Sequence, residues 1–249
     1  MGSEVVLIGA VASLIAGLAT GAGTLPVLFT RRISDRLLDV MLGFAAGVML
    51  AATSFSLLIP SLELGGPWIA VVGLLLGAVI LHLIDRFIPH FSPAFGPEGP
   101  SSSLSGVWLF ILAITIHNFP EGLAVGVSFG SGDVATGLII ATAIGLQNMP
   151  EGLAVALPLI REGYSRRKAI GYGTLTRLVE PLGGLLGAAI VTVSRPLLPW
   201  GLAFAAGTML FVIADEMIPE SHKKGYEREA TFGLIAGFTI MMLLDVIFG

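Results

Sequence analysis

His117-Asn118-Phe119-Pro120-Glu121-Gly122-Leu123-Ala124-Val125 and Gln147-Asn148-Met149-Pro150-Glu151-Gly152-Leu153-Ala154-Val155 are two versions of one phrase, thirty residues apart. Each lies in the middle of a long apolar segment. Each places an imidazole or amide, an asparagine and a carboxylate among Leu, Ile, Val, Ala and Gly. Ionisable groups at bilayer depth are costly and mark function more often than packing.

The composition around this pair fits a membrane rather than water. The chain is 55% hydrophobic and 12% charged, where a soluble domain carries roughly 25% charged residues. Mean hydropathy is +0.92. Eight apolar segments follow one another, at about 5–29, 38–60, 67–88, 106–130, 134–160, 169–193, 199–219 and 230–248. Each is near the ~20 residues a helix needs to cross hydrocarbon. A β-barrel would read as ~10-residue alternating strands, which these are not. The expectation is an all-α polytopic membrane protein of eight transmembrane helices, with residues 1–249 forming a single transmembrane domain. No lysine or arginine precedes the first apolar run, so it reads as a retained helix rather than a secretory signal. The chain has no cysteine, which excludes disulfides and thiolate metal sites. No basic stripe or aromatic ladder points to nucleic acid.

Charge placement predicts orientation. Arg31, Arg32 and Arg36 follow the first segment, Arg86 the third, Arg161, Arg166, Arg167 and Lys168 the fifth, and Lys223, Lys224 and Arg228 the seventh. If the helices alternate, these lie on one side, with only Arg195 opposite and Arg177 inside the sixth segment. The positive-inside rule makes the crowded side cytoplasmic and puts both termini outside, as in a multi-pass protein of the inner cell membrane. The loop at about 89–105, rich in Pro, Gly and Ser, reads as mobile cytoplasmic chain.

Gly43-Phe44-Ala45-Ala46-Gly47-Val48-Met49-Leu50 in the second segment echoes Ala203-Phe204-Ala205-Ala206-Gly207-Thr208-Met209-Leu210 in the seventh. Both segments end near Ile-Pro, at Ile59-Pro60 and Ile218-Pro219. Their opposite directions predict a 3+2+3 arrangement, with helices one to three and six to eight as an inverted repeat, a plan that places transporter sites at the midplane. Gly/Ala-rich helices also resemble one another because small residues permit close packing.

Residues three or four apart share a helical face. His117, Asn118 and Glu121 therefore point together, as do Gln147, Asn148 and Glu151. Pro120 and Pro150 free the carbonyls near Ile116 and Leu146, which a membrane tolerates where they line a cavity or meet an ion. Glu180-Pro181 in the sixth segment and Met49 in the second lie at similar depth. Three buried glutamates repel one another when ionised, and a divalent cation removes that cost. Imidazole suits Zn²⁺ and Fe²⁺, and carboxylates suit these and Mn²⁺. Packing remains the alternative for Met49, and helix–helix hydrogen bonding for a lone histidine.

The paired phrases resemble the signature helices of the ZIP family of metal transporters, most of all its bacterial ZupT- and GufA-like branches. The order of motifs matches over nearly the whole chain. The resemblance implies a transport site on helices four and five, often binuclear, that admits Zn²⁺ and variably Fe²⁺, Mn²⁺, Cd²⁺ or Co²⁺ to the cytoplasm. By that resemblance Met49, His117, Glu121, Gln147 and Glu151 would replace the ion's hydration shell. Asn118, Asn148 and Glu180 would form an adjoining position. Gln147 and Asn148 stand where some members have His and Asp, so the adjoining position would bind less tightly. The resemblance also implies homodimers, an elevator motion in some members, and an exit route for which Asp85, His90, Asp215, Glu216 and His222 are candidates. Asp39 and Asp245 are weaker candidates.

The expected function is uptake of divalent metal across the membrane, with no prosthetic group, and with metal ions, the bilayer and a second copy as partners. Two alternatives are an intramembrane metal-dependent enzyme and a proton-coupled solute carrier. The first lacks a His-Glu-x-x-His or a Glu-x-x-His pair. The second leaves the neutral amide donors unexplained.

Overall fold

The computed structural model describes residues 2–30, 33–92 and 96–248. It is almost wholly helical: α1 (Gly2–Thr24), α2 (Asp35–Ala51), α3 (Ile59–Phe87), α4 (Gly106–Gly130), α5 (Val134–Arg161), α6 (Arg166–Leu175), α7 (Glu180–Val193), α8 (Leu198–Val212), α9 (Ile218–Ser221) and α10 (Glu227–Phe248). Starts are encoded locally. Ser34 caps α2 by accepting from Leu37 N at 3.3 Å, Asp133 caps α5 from Ala135 N at 2.9 Å, and Ser165 caps α6. The Thr136 hydroxyl also bonds Asp133 and, with the cap, holds its carboxyl below the usual range.

By length and apolarity there are 7 candidate spans among the described residues, where the sequence shows eight segments. The difference lies in Asp35–Phe87, which runs on as 53 residues. At a rise of 1.5 Å per residue this is roughly 80 Å, more than twice the ~30 Å of hydrocarbon. The run is broken at Gly66, whose φ of 75° and ψ of 174° are not helical. Before the break Ser61 donates to the Pro199 carbonyl at 2.7 Å. Beyond it Gly73 meets Ala203 and Gly77 meets Phe204, so the chain turns back along α8. Glycine adopts this φ without steric cost, and Pro67 restarts the helix.

Prolines shape the interiors. Pro60 and Pro219 lack the N–H that would bind the carbonyl four residues back. In each case the preceding turn widens to π winding, at Ala52–Leu58 and Ile213–Met217. Pro181 acts likewise on the sixth segment, which tightens to a 3₁₀ turn at Thr176–Val179 between α6 and α7.

One constant spacing, that from Gly47 to Gly207, relates much of the structure. A Cβ on Gly47 would meet the Leu234 carbonyl, and one on Gly207 the Leu74 carbonyl. Gly77 abuts Phe204, and Gly237 abuts Phe44. The order of buried and exposed residues over 9–27 repeats over 169–187, and that over 67–81 repeats over 227–241. The two π stretches fall at related places. α10 packs on α2 as α3 packs on α8. The helices sort into two groups, α1 with α4, α5, α6 and α7, and α2 with α3, α8 and α10, which meet along α2/α5 and α4/α8.

Basic residues converge at one end. Arg161 pairs with Asp35 at 3.2 Å, Arg36 with Glu229 at 3.2 Å, and Lys224 with Asp39 at 3.5 Å. Arg166 donates to the Leu28 carbonyl. Arg195 lies at the other end, bonded to the Ser131 carbonyl. The loop read as mobile is ordered over part of its length. His90–Ser92 (β1) and Gly96–Glu98 (β2) form an antiparallel hairpin with His90 opposite Glu98, and their side chains pair at 3.2 Å. Exposed apolar side chains such as Leu7, Ile15, Trp68 and Phe232 face outward along α1, α3 and α10, as lipid contact requires.

Candidate metal centre at mid-span

The broken sixth segment is the key to the centre. Helix α4 approaches it so closely that a Cβ on Gly122 would lie 2.0 Å from the Glu180 carbonyl oxygen. On the related side, one on Gly152 would lie 2.4 Å from the Thr20 carbonyl oxygen. Glycine at both places lets α4 and α5 bring their polar faces against the central helices. Asn118 donates to the Thr176 carbonyl at 3.0 Å, holding the 3₁₀ turn in place. Asn148 donates to the Ala16 carbonyl at 3.0 Å and to Glu180 Oε1 at 3.2 Å.

That turn presents Arg177. Its guanidinium is buried, with the side chain 2% exposed. Nη1 donates to Glu121 Oε2 at 2.8 Å, Asn148 Oδ1 at 2.7 Å and Glu180 Oε1 at 3.2 Å. Nη2 donates to Glu151 Oε2. Three carboxylates and one amide from three helices thus converge on one cation supplied by the chain. Glu151 Oε1, Glu180 Oε2 and both polar atoms of Gln147 are buried without a hydrogen-bond partner.

His117 turns away from this cluster. Its Nε2 lies 2.9 Å from Glu216 Oε1 and 3.6 Å from Asp85 Oδ1. One donor atom from each of Asp85, His117 and Glu216 lies within 4.8 Å of the others. Both Asp85 carboxylate oxygens are buried without a hydrogen-bond partner. Imidazole with two carboxylates is a donor set suited to zinc. A cavity of about 100 Å³ joins the two clusters, lined by His117, Glu121, Glu151, Arg177 and Glu216, and continues past Pro158 and Glu220 toward the basic end. On the other side of the centre the chain is sealed. Val125, Ile140, Ala143, Ile144, Ala205 and Met209 are buried in one apolar cluster.

The sequence-predicted residues therefore divide. Glu121, Asn148, Glu151 and Glu180 meet around Arg177, with Asn118 supporting the turn beside them. His117 belongs with Asp85 and Glu216. Met49 is buried in the apolar cluster with Met209. Gln147 is buried and unpartnered. Asp215 is half-buried on the π stretch. His90 is held in the hairpin, hydrogen-bonded through Nδ1 to the Ile88 carbonyl, with Nε2 3.2 Å from Glu98 Oε2. His222 bonds the Ile218 carbonyl and the Thr231 hydroxyl. Neither histidine joins the triad. Asp39 pairs with Lys224 near the basic end, and Asp245 takes a hydrogen bond from Ser56. Sequence reasoning missed Arg177 as part of the centre. The signal was a cation inside an apolar span, three residues before a buried glutamate.

A polytopic helical membrane protein with metal-type donors at mid-span is the class these features define. Comparison with known proteins narrows it. Residues 96–245 match the profile of the ZIP zinc transporter family. The zinc transporter GufA of Myxococcus xanthus is 47% identical over 97% of this chain and 99% of its own length. The zinc transporter ZIPB of Bordetella bronchiseptica is 45% identical over 93% of this chain and 78% of its own. The zinc transporter ZupT of Corynebacterium glutamicum is 38% identical over 95% and 97%. The chain belongs to the ZIP family, a family of transporters rather than enzymes.

Proposed function

We propose that the protein moves divalent metal, zinc foremost, with iron, manganese, cadmium and cobalt as further cargo, across the membrane into the cytoplasm. The observation that carries this is the convergence of Glu121, Glu151 and Glu180 on one point, joined by a cavity to the Asp85–His117–Glu216 triad. Buried carboxylates with unpartnered oxygens are costly in an apolar medium, and a divalent ion compensates them. Glu121, Glu151 and Gln147, with His117 turning inward and Met49 alongside, would take the ion at mid-span. Asn118, Asn148 and Glu180 line the adjoining position. Asp85, His117 and Glu216 would receive the ion next, nearer the basic end.

The basic end is cytoplasmic in this proposal, as the positive-inside rule directs, and both termini are outside. The protein is an inner-membrane homodimer. Helices one to three and six to eight form an inverted repeat around helices four and five. The constant spacing between halves supports that arrangement. The cavity reaching the basic end and the apolar seal opposite favour a state open toward the cytoplasm. The grouping of α1, α4, α5, α6 and α7 apart from the rest supports their moving together past the other helices.

Uptake into proteoliposomes tests the reading, with Zn²⁺, Fe²⁺, Mn²⁺ and Cd²⁺ in competition. Wild-type protein gives saturable uptake, and Glu121→Ala loses it. Metal bound by well-folded protein without any uptake would overturn transport.

A further inference from the structure

Among the described residues Arg177 is the largest fully buried side chain, and it sits where the family resemblance would place a second metal. Two of the three residues assigned to that position, Asn148 and Glu180, bond its Nη1, and Glu121 bonds the same nitrogen. The position related to Arg177 by the constant spacing is Gly17. A Cβ there would come within 3.0 Å of Glu180 Oε2 and 3.2 Å of Arg177 Cβ. The position related to Glu180 is Thr20, whose buried hydroxyl is unpartnered. One half of the molecule is thus cut back to glycine and threonine where the other half supplies a guanidinium and its carboxylate. Room for the long side chain is built into the opposite helix.

Charge gives the arrangement its meaning. Glu121, Glu151 and Glu180 together carry three negative charges when ionised, and Arg177 cancels one of them. A single divalent ion would neutralise the remainder. A guanidinium cannot lose its proton in proteins and presents a planar fork of donors. It is therefore a permanent cation, and its tether keeps it from leaving with the cargo.

We propose that Arg177 is a tethered substitute for the second metal, so that this transporter carries one divalent ion at a time through the mid-span site. The inference rests on the transport reading above. With Arg177 in place, Glu180 serves the guanidinium and holds no cargo. Without it, Glu180, Asn148 and Glu121 regain the donors of a second metal position.

The test is zinc bound per protomer, by equilibrium dialysis and elemental analysis of purified full-length protein in detergent. The variants are Arg177→Ser, Glu180→Gln and the double variant Arg177→Ser/Glu180→Gln. Comparing variants removes any zinc held by the Asp85–His117–Glu216 triad from the count. Arg177→Ser is expected to bind one more zinc than wild type. The double variant is expected to return to the wild-type count, and Glu180→Gln alone to leave it unchanged. An unchanged count in folded Arg177→Ser overturns the proposal. So does the loss of one zinc in Glu180→Gln, which is informative even if Arg177→Ser fails to fold. In both cases wild-type uptake keeps the transport reading intact. Absence of zinc from wild type and every variant overturns both.

Discussion

Two related regions of the molecule present different donor chemistry. Toward the basic end stand Asp85, His117 and Glu216, with donor atoms within 4.8 Å. By the constant spacing Asp245 and Ser56 are the counterparts of Asp85 and Glu216, and Gln147 is that of His117 by the thirty residues between the paired phrases. In that trio Ser56 donates to Asp245 and Gln147 has no hydrogen-bond partner. The backbone is the same in both, down to a π stretch beside each. The donors are not: an imidazole and two carboxylates face a carboxylate, an amide and a hydroxyl. If both regions meet the cargo, as proposed, a shared scaffold would carry a graded affinity through its side chains rather than through the fold.

If the scaffold is shared, related glycines are equally intolerant. A Cβ on Gly47 or Gly207 would come 2.0 Å from a carbonyl oxygen. Gly47→Ala and Gly207→Ala are each expected to cost about 3 kcal/mol through overpacking, read as thermal unfolding in detergent. Clearly unequal losses would break the comparison at its backbone. The donors predict the opposite, an unequal pair. Glu216→Ala should slow zinc uptake about tenfold or more, in the range seen when a metal site loses a supporting group. Ser56→Ala should stay near wild type. Initial rates in vesicles decide this, and equal losses would deny the gradient. Gln147→His sharpens the comparison by giving the weak side the imidazole of the strong one. Zinc affinity in dialysis should rise, because imidazole is the better zinc donor. The smallest effect concerns a helix start away from both regions. Asp133→Ala should cost about 1 kcal/mol. Because its folded carboxyl lies below the ordinary value, that contribution is present above the unfolded pKa. It fades as pH falls through the folded one. Unfolding of both proteins at neutral and acid pH should therefore converge in acid.

Much of this was legible in the sequence. Apolar segments located the helices to within a few residues, because hydrocarbon thickness dictates their length. The duplicated phrase located Glu121, Asn148 and Glu151, since i, i+3 and i+4 share a face. Three features were not legible. His117 shares a face with Glu121 on the helix, yet its ring swings toward acids on other helices, a choice made by tertiary neighbours. Arg177 was read only as a charge lying inside the sixth segment, outside the count for either side. Its role depends on Gly17 leaving space for it, a relation between helices that no local pattern contains. The hairpin at His90–Glu98 was hidden by a Pro/Gly-rich composition that reads as loose chain.

The π stretches have a consequence for the reading of faces. A turn of this kind holds one residue more than an α-helical turn. Beyond Ile213–Met217 every side chain is therefore out of phase by roughly 100° with a wheel drawn from Leu198, the angle one residue subtends. The extra residue is a spacer in angle, not in height. Deleting a single residue from this stretch would leave a continuous helix of nearly the same reach, while changing which acid, Asp215 or Glu216, is aimed at His117.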